Sequence, residues 1–223
     1  GFGDSLLKIT AINVACPEFV SLDGGPKKHR SGILKKSVSG PVFLNLLGFD
    51  GDGVGDTRIH GGEDKAVCAY SVDHLPYWNE KLQRKLGPGS FGENLSMVGM
   101  LETTTHIGDI FEVGAAQVQV TQPRQPCHKL NKVFNDPSMA CSIKKTGFSG
   151  YYLRVLKPGL VEPGDTINLF HKDPSEFSVE KANALLRKGG INIQYMEELI
   201  SHPALSSDWR EMIQKRLNRF DAK

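Results

Sequence analysis

The sequence predicts a mainly β fold: a closed or nearly closed barrel with a few inserted helices, followed by a small three-helix domain. Three observations lead there. Through about residue 170 the chain is built of short runs rich in Val, Ile, Leu, Phe and Thr, repeatedly broken by Gly and Pro, which is the punctuation of many short strands. Val118 and Val120 alternate with Gln117 and Gln119, the period of a strand with one buried face. From residue 174 onward the spacing of apolar residues turns helical and strand candidates stop. These place a barrel domain over 1–173 and a three-helix domain over 174–223.

The predicted strands, in order, are 6–15, 40–49, 65–71, 93–99, 109–114, 116–122 and 165–171. One inserted helix follows Ser71 over "VDHLPYWNEKLQRKL", in which Tyr77 and Trp78 are expected to pack. A short one runs from Cys127 to Phe134, its apolar face made by Leu130, Val133 and Phe134, and Asn135, Asp136 and Pro137 end it. In the tail, Ser178 caps a helix carrying Ala182, Leu185 and Leu186, which Gly189 and Gly190 stop. A second holds Met196, Leu199 and Ile200 before Pro203. A third starts near Ser207 and aligns Trp209, Met212, Ile213, Leu217 and Phe220.

Composition narrows the function. The chain has 223 residues, 39% of them hydrophobic, enough to bury a full core. Its 27 basic and 25 acidic residues give a net charge of +2, so nucleic acid is not an expected partner and any anion site must be local. Neither a leader-like start nor a run of 18 apolar residues is visible, which predicts a cytoplasmic, unanchored protein with no membrane partner. Cys16, Cys68, Cys127 and Cys141 have no CxxC spacing, which predicts free thiols in a reducing compartment; Cys68, inside an apolar run, is expected in the core.

Three constellations could carry chemistry. In "GDGVGDTRIHGGEDKAVCAY", residues 51–70, glycines crowd around Arg58, His60 and Lys65: the backbone can approach a ligand closely and the cations can answer an anion. A glycine-rich turn with surface charges is the plainer account of the same residues. An EF-hand starting at Asp50, with Asp52 and Asp56, fails because its twelfth position is Gly61. In "GPGSFGENL", residues 87–95, the glycine spacing of a dinucleotide fingerprint is accidental, since Pro88 sits inside it and no strand precedes it. What remains there is Glu93 and Asn94 at a strand mouth, Asn94 offering both donors and acceptor.

The third constellation is "QPRQPCHKLN", residues 122–131. Pro123 and Pro126 stop a strand and stiffen its exit, and Cys127 falls at or near a helix start beside Arg124, a setting that favours thiolate. A thiol plugging the barrel end is the alternative. His128, Lys129 and Asn131 line the same mouth or face solvent. His74, His106, His171 and His202 lack ligand spacing and read as surface or packing histidines, and no GxSxG occurs.

Taken together, "RIHGGEDKAVCAY", "SFGENLS", "IGDIFEVG" and "VTQPRQPCHKLN", in this order, resemble the MOSC domain in its bacterial YiiM-like branch, over about residues 30–171, and the tail is similar to that branch's three-helix domain. The resemblance implies a mixed β-barrel, molybdenum cofactor (molybdopterin) binding, and reduction of N-hydroxylated compounds such as hydroxylamino bases. By position it makes Cys127 the thiolate ligand to molybdenum and the catalytic residue. It places Arg58, His60, Gly61, Gly62, Lys65, Glu93, Asn94, Arg124, His128 and Asn131 around the cofactor. It further implies an external electron donor protein or reductant, and leaves a homo-oligomer open. Because the same domain ends molybdenum cofactor sulfurases, a sulfur carrier with a persulfide on Cys127 is the rival reading.

Overall fold

The computed structural model describes residues 6–53, 61–187 and 189–222. Thirteen strands are present among them: β1 Lys8–Val14, β2 Glu18–Ser21, β3 Lys28–Ser31, β4 Lys36–Ser37, β5 Val42–Asn45, β6 Gly48–Phe49, β7 Val67–Ser71, β8 Leu95–Val98, β9 Ile110–Val113, β10 Ala116–Pro123, β11 Tyr151–Lys157, β12 Gly159–Val161 and β13 Ile167–His171. The helices are α1 Leu75–Leu82, α2 Lys129–Val133, α3 Met139–Thr146, α4 Val179–Ala184, α5 Ile193–Ile200 and α6 Ser207–Asp221.

The main sheet runs β13-β9-β10-β11-β7-β8-β1-β4. Every pair in it is antiparallel except β7 with β8, whose connection needs a crossover; a short 3₁₀ turn and α1 provide it. The far edges then meet. Ile9 N donates to Asp165 O at 3.0 Å, Gly164 N to Ile9 O at 2.9 Å and Ile167 N to Leu7 O at 2.9 Å, so β1 closes on the segment entering β13. Closure removes the open edges of the sheet.

Alternation decides what fills the barrel. Val118 and Val120 on β10 face Leu153 and Val155 on β11, all buried, as the period-2 pattern predicts. β7 is buried on both faces: Val67 and Ala69 belong to the barrel core, whereas Tyr70 joins Trp78, Phe91, Leu130, Phe134, Met139 and Ile143 in a second core under α1, α2 and α3. The Trp78 indole donates to Tyr70 Oη at 2.8 Å, which satisfies both buried polar atoms. Tyr77, expected to pack, is 42% exposed, because the neighbouring Trp78 takes the buried face of α1.

Several elements differ from the sequence expectation. The run 40–49 is not one strand but the hairpin β5–β6, turning at the exposed Leu46 and Leu47. The helix expected over 127–134 begins at Lys129, and the chain turns after it at Asn135 (φ 49°) straight into α3. The hairpin β2–β3, and β4, β11 and β12, were not anticipated, although "YYLRVLK" at β11 alternates as clearly as β10. In the tail three helices form in the expected order, but α4 ends at Ala184, before Leu185 and Leu186. Ser178 accepts from Lys181 N and caps α4, and Ser206, one residue before the expected start, accepts from Trp209 N and caps α6.

Candidate functional site

β10 ends at Pro123, and the chain beyond it is held tightly. Arg124 N donates to Gly150 O at 3.0 Å and the Arg124 side chain turns inward, leaving the residue 6% exposed. Burial opposes its charge, but the nearby Cys68, Tyr152, Glu93 and Cys127 outweigh that and raise its pKa. Among the described residues Arg124 joins no salt bridge. Cys127 comes three residues later, half-buried, with its carbonyl accepting from Leu130 N at 3.0 Å and its Sγ 3.9 Å from His128 Nδ1. It therefore stands just before α2 rather than in its first turn, and presents its sulfur from a loop that Pro123 and Pro126 restrict.

The glycine segment reaches the same place from another side. Gly61 and Gly62 hold φ of 89° and 86°, and a Cβ on Gly62 would meet nothing within 4 Å: the backbone here borders open space. A 3₁₀ turn over Glu63–Lys65 comes next. In it Asp64 faces away from the opening, accepting from Arg154 Nη2 at 2.6 Å and Ser207 N at 2.9 Å, while Lys65 Nζ pairs with Asp208 at 2.7 Å. Arg58 and His60, both expected at the cofactor, lie outside the described residues.

Asn94 links the third side. Its Oδ1 accepts from Cys68 N at 3.0 Å, and its Nδ2 donates to Asn13 O at 3.2 Å and Asp52 Oδ2 at 2.7 Å. Asp52 in turn pairs with Lys35 at 2.7 Å, both side chains being at most 10% exposed.

These pieces surround one cavity of about 350 Å³, bordered by Gly61, Gly62, Lys65, Asn94, Arg124 and Cys127 of the expected set. A second cavity of about 450 Å³ adjoins it, shares Lys65, Cys127, Lys129 and Tyr152, and includes His128. Two expected residues border neither, and their side chains have other work. Glu93 is 1% exposed and its carboxylate accepts from Gly89 N at 2.6 Å, Phe91 N at 3.0 Å and Ser96 Oγ at 2.9 Å, fixing the loop 87–93; burial pushes its pKa up. Asn131 Oδ1 accepts from Ala140 N at 2.8 Å and ties α2 to α3.

Sequence reasoning missed Lys35, Asp52 and Tyr152, and placed Cys68 in the core where it also borders the first cavity. The pairing of β1 with β4 and β8, and the bond from Ala15 N to Asp52 Oδ1 at 3.0 Å, bring Lys35 and Asp52 to Asn94, and no local pattern announces either. Tyr152 sits on the outward phase of β11, which the alternation of that strand would have shown. Burial first, then the neighbouring Cys68, push its hydroxyl pKa up.

The first cavity thus combines the half-buried thiol of Cys127, the buried thiol of Cys68, four cations (Lys35, Lys65, Arg124 and Lys129) against one bordering carboxylate (Asp52), and glycine backbone open to a ligand. A soft sulfur donor beside a positive, glycine-lined cradle is chemistry that fits an anionic, phosphate-bearing metal cofactor. His74 pairs with Glu102 at 2.7 Å inside the second core and is a packing residue. No helix among the described residues is long and apolar enough to cross a membrane.

Residues 56–168 match the family model described as the MOSC domain, and residues 178–220 match the YiiM-like, 3-alpha helix domain. The chain is 40% identical to the uncharacterized protein YflK of Bacillus subtilis (strain 168), over 95% of each. It is 34% identical to a protein named reductase from Gibberella moniliformis, over 78% of this chain but 31% of that longer one. Among solved structures, YiiM from Geobacillus stearothermophilus superposes with a TM-score of 0.81 at 37% identity, covering 95% of this chain and 99% of that one.

Proposed function

From the premise that this chain belongs to the MOSC domain family, with a YiiM-like three-helix domain behind the barrel, we propose that it is a molybdenum cofactor-dependent reductase of N-hydroxylated compounds. The observation that carries this reading is the convergence of Cys127 with Lys35, Lys65, Arg124 and Lys129 on one cavity. The relative named reductase is consistent with it.

The reaction is R–NHOH + 2 e⁻ + 2 H⁺ → R–NH₂ + H₂O: the N–O bond breaks, its electron pair is replaced by one from an external donor protein or reductant, and oxygen leaves as water. When bound, the molybdenum cofactor would supply the two-electron redox centre. Cys127 Sγ would be the soft donor that holds it, while the four cations and the Gly61–Gly62 backbone would hold its anionic tail. Asn94 fixes Asp52, and Asp52 fixes Lys35, so that the cradle is in place before anything binds. The Tyr152 hydroxyl is a proton-bearing donor on the wall common to both cavities.

Cys127→Ala, produced in a host that supplies the cofactor, should lose bound molybdenum and reductase activity together, by about tenfold or more each. Full retention of both would sink the reading. Purified without reductant, the wild-type protein should carry molybdopterin; an adduct of about 32 Da on Cys127 instead, with no pterin, favours the sulfur carrier.

A further inference from the structure

The hairpin β2–β3 forms a sheet of its own, and Lys27, Lys28, His29 and Arg30 follow one another along its turn and second strand. Its register sets Phe19 opposite Arg30 and Val20 opposite His29, so these two pairs lie on opposite faces. On one face the Phe19 side chain is 69% exposed beside the exposed Arg30. On the other, His29 meets α2: Lys132 Nζ donates to His29 Nε2 at 2.9 Å, and Lys129 Nζ lies 3.5 Å from Arg30 O.

Hairpin and helix thus gather cations without matching acids. Among the described residues Lys27, Lys28, Lys129 and Lys132 join no salt bridge. Asp23, the carboxylate of the hairpin turn, accepts from Gly25 N at 2.8 Å and Ser21 Oγ at 3.5 Å, and Glu18 stands at the far end of the hairpin, across from Ser31. Burial first, then Lys132, Lys27 and Lys129, hold the His29 pKa below its ordinary value, in keeping with a ring that accepts from Lys132. Like charges crowded on an exposed hairpin cost stability, and a surface of opposite sign removes that cost.

The position of these cations matters as much as their sign. Ser31, which ends β3, and Gly32 and Ile33 after it border the first cavity, while Lys129, two residues after Cys127, borders both cavities. Lys27, Lys28 and Arg30 border neither, so they stand outside the cradle and beside its mouth.

We propose that the β2–β3 hairpin and the lysines of α2 form the docking surface for an acidic electron-carrier protein, with Phe19 as its apolar contact. The inference rests on the reductase reading, which needs electrons from outside, and adds where their donor sits. Redox encounters bury little area, so cations around one exposed aromatic side chain suffice to orient such a partner. Charge of this kind acts mainly on association, and salt screens it.

The test uses the full chain made in a cofactor-supplying host, with flavodoxin and a plant-type ferredoxin, both acidic one-electron carriers, as probes. At about 20 mM salt at least one should bind the wild type, and its Kd should rise by about tenfold or more at about 300 mM. Lys27→Glu with Lys28→Glu should raise Kd by about tenfold or more at low salt. Lys215→Glu with Arg219→Glu on α6, the same change in net charge at another surface, should alter it by no more than about twofold. Phe19→Ala should raise Kd by about threefold or more, and an unchanged value overturns the role of that side chain. In turnover of N4-hydroxycytosine, the hairpin pair should lower kcat/KM for the reduced carrier by about tenfold, and leave the rate with saturating reduced methyl viologen within about twofold of wild type. Equal Kd for wild type and the hairpin pair overturns the proposal, even where reduction persists and the reductase reading stands. So does absence of binding by both carriers at low salt, or tighter binding of a DNA duplex than of either carrier. If a carrier binds and the hairpin pair weakens it, yet no N-hydroxylated compound is reduced, the docking surface stands and the reductase reading falls.

Discussion

At the scale of single residues, Asn94 shows how one side chain can serve packing and site together. Its three hydrogen bonds satisfy a strand amide at Cys68, a strand carbonyl at Asn13 and the carboxylate of Asp52, all within a closed barrel. Asn94→Ala would leave the buried Cys68 N–H and one Asp52 oxygen without partners, and should destabilise the protein by about 2–3 kcal/mol in urea unfolding. The same variant should bind molybdenum less well, because Asp52 and Lys35 lose their anchor. Gly92 is the second sensitive point. Its φ is 74°, and a Cβ there would lie 2.6 Å from Ile33 Cγ1 and 3.5 Å from Arg124 Nη2. Gly92→Ala is therefore strained in backbone and side chain at once, with Ile33 in the way, and should cost about 1–3 kcal/mol; a melting temperature equal to wild type would contradict that strain. The cavity glycines and Arg124 were legible in the sequence because their chemistry is unusual for a loop. Lys35 and Asp52 were not, since a lysine and an aspartate in polar segments read as solvated surface until the fold pairs them.

At the scale of elements, the joint between the glycine segment and the start of α6 turns on Asp64. Its carboxylate takes Arg154 on one oxygen and the Ser207 N–H on the other, and its own carbonyl accepts from Thr121 Oγ1 at 2.6 Å. Burial alone would raise its pKa, but the bonds from Ser207 and Arg154 overcome that and hold it below the ordinary carboxylate value. A carboxyl depressed in the folded state contributes stability that is fully present above its unfolded pKa of about 3.9 and is lost as pH falls through the lower folded value. Asp64→Asn should thus lower stability by about 1–2 kcal/mol at pH 7, a modest figure because the site is half open to solvent, and the gap to wild type should narrow below pH ~4. Thermal melts of both proteins from pH 3 to 7 would check it; a gap independent of pH would mean that the carboxylate charge is immaterial to the joint. One helix start, by contrast, was visible in advance: Ser178 caps α4, and Ser206 does the same for α6 one residue before the expected start, because each hydroxyl reaches a first free amide of its helix.

At the scale of the whole molecule, the tail is less separate than its change of periodicity suggests. Phe177, Val179, Leu185, Met196, Leu199, Trp209 and Ile213 belong to the same contiguous core as the barrel's Val118, Val120 and Leu153. Val179 N donates to Thr105 O and Ile107 N to Phe177 O, so backbone pairing also crosses the junction. Removing residues 174–223 should expose that apolar surface and yield an unstable or aggregating barrel, and the full chain should melt in one cooperative transition; a truncated protein with wild-type stability would refute the shared core. The sequence by itself determined the strand-rich body, the helical tail, and Cys127, Arg124 and the glycine segment as the chemistry to watch, because alternation, capping and glycine content are local properties. Only the tertiary structure decided the closing of β1 on the entry to β13, the Lys35–Asp52–Asn94 chain, the withdrawal of Glu93 and Asn131 into structural bonds, and the second cavity shared between barrel and α6. The closing of the sheet, the Lys35–Asp52–Asn94 chain and the shared cavity depend on residues far apart in the chain meeting, whereas Glu93 and Asn131 are taken by neighbours within nine residues, and no spacing along the sequence records which of these partners a side chain will find.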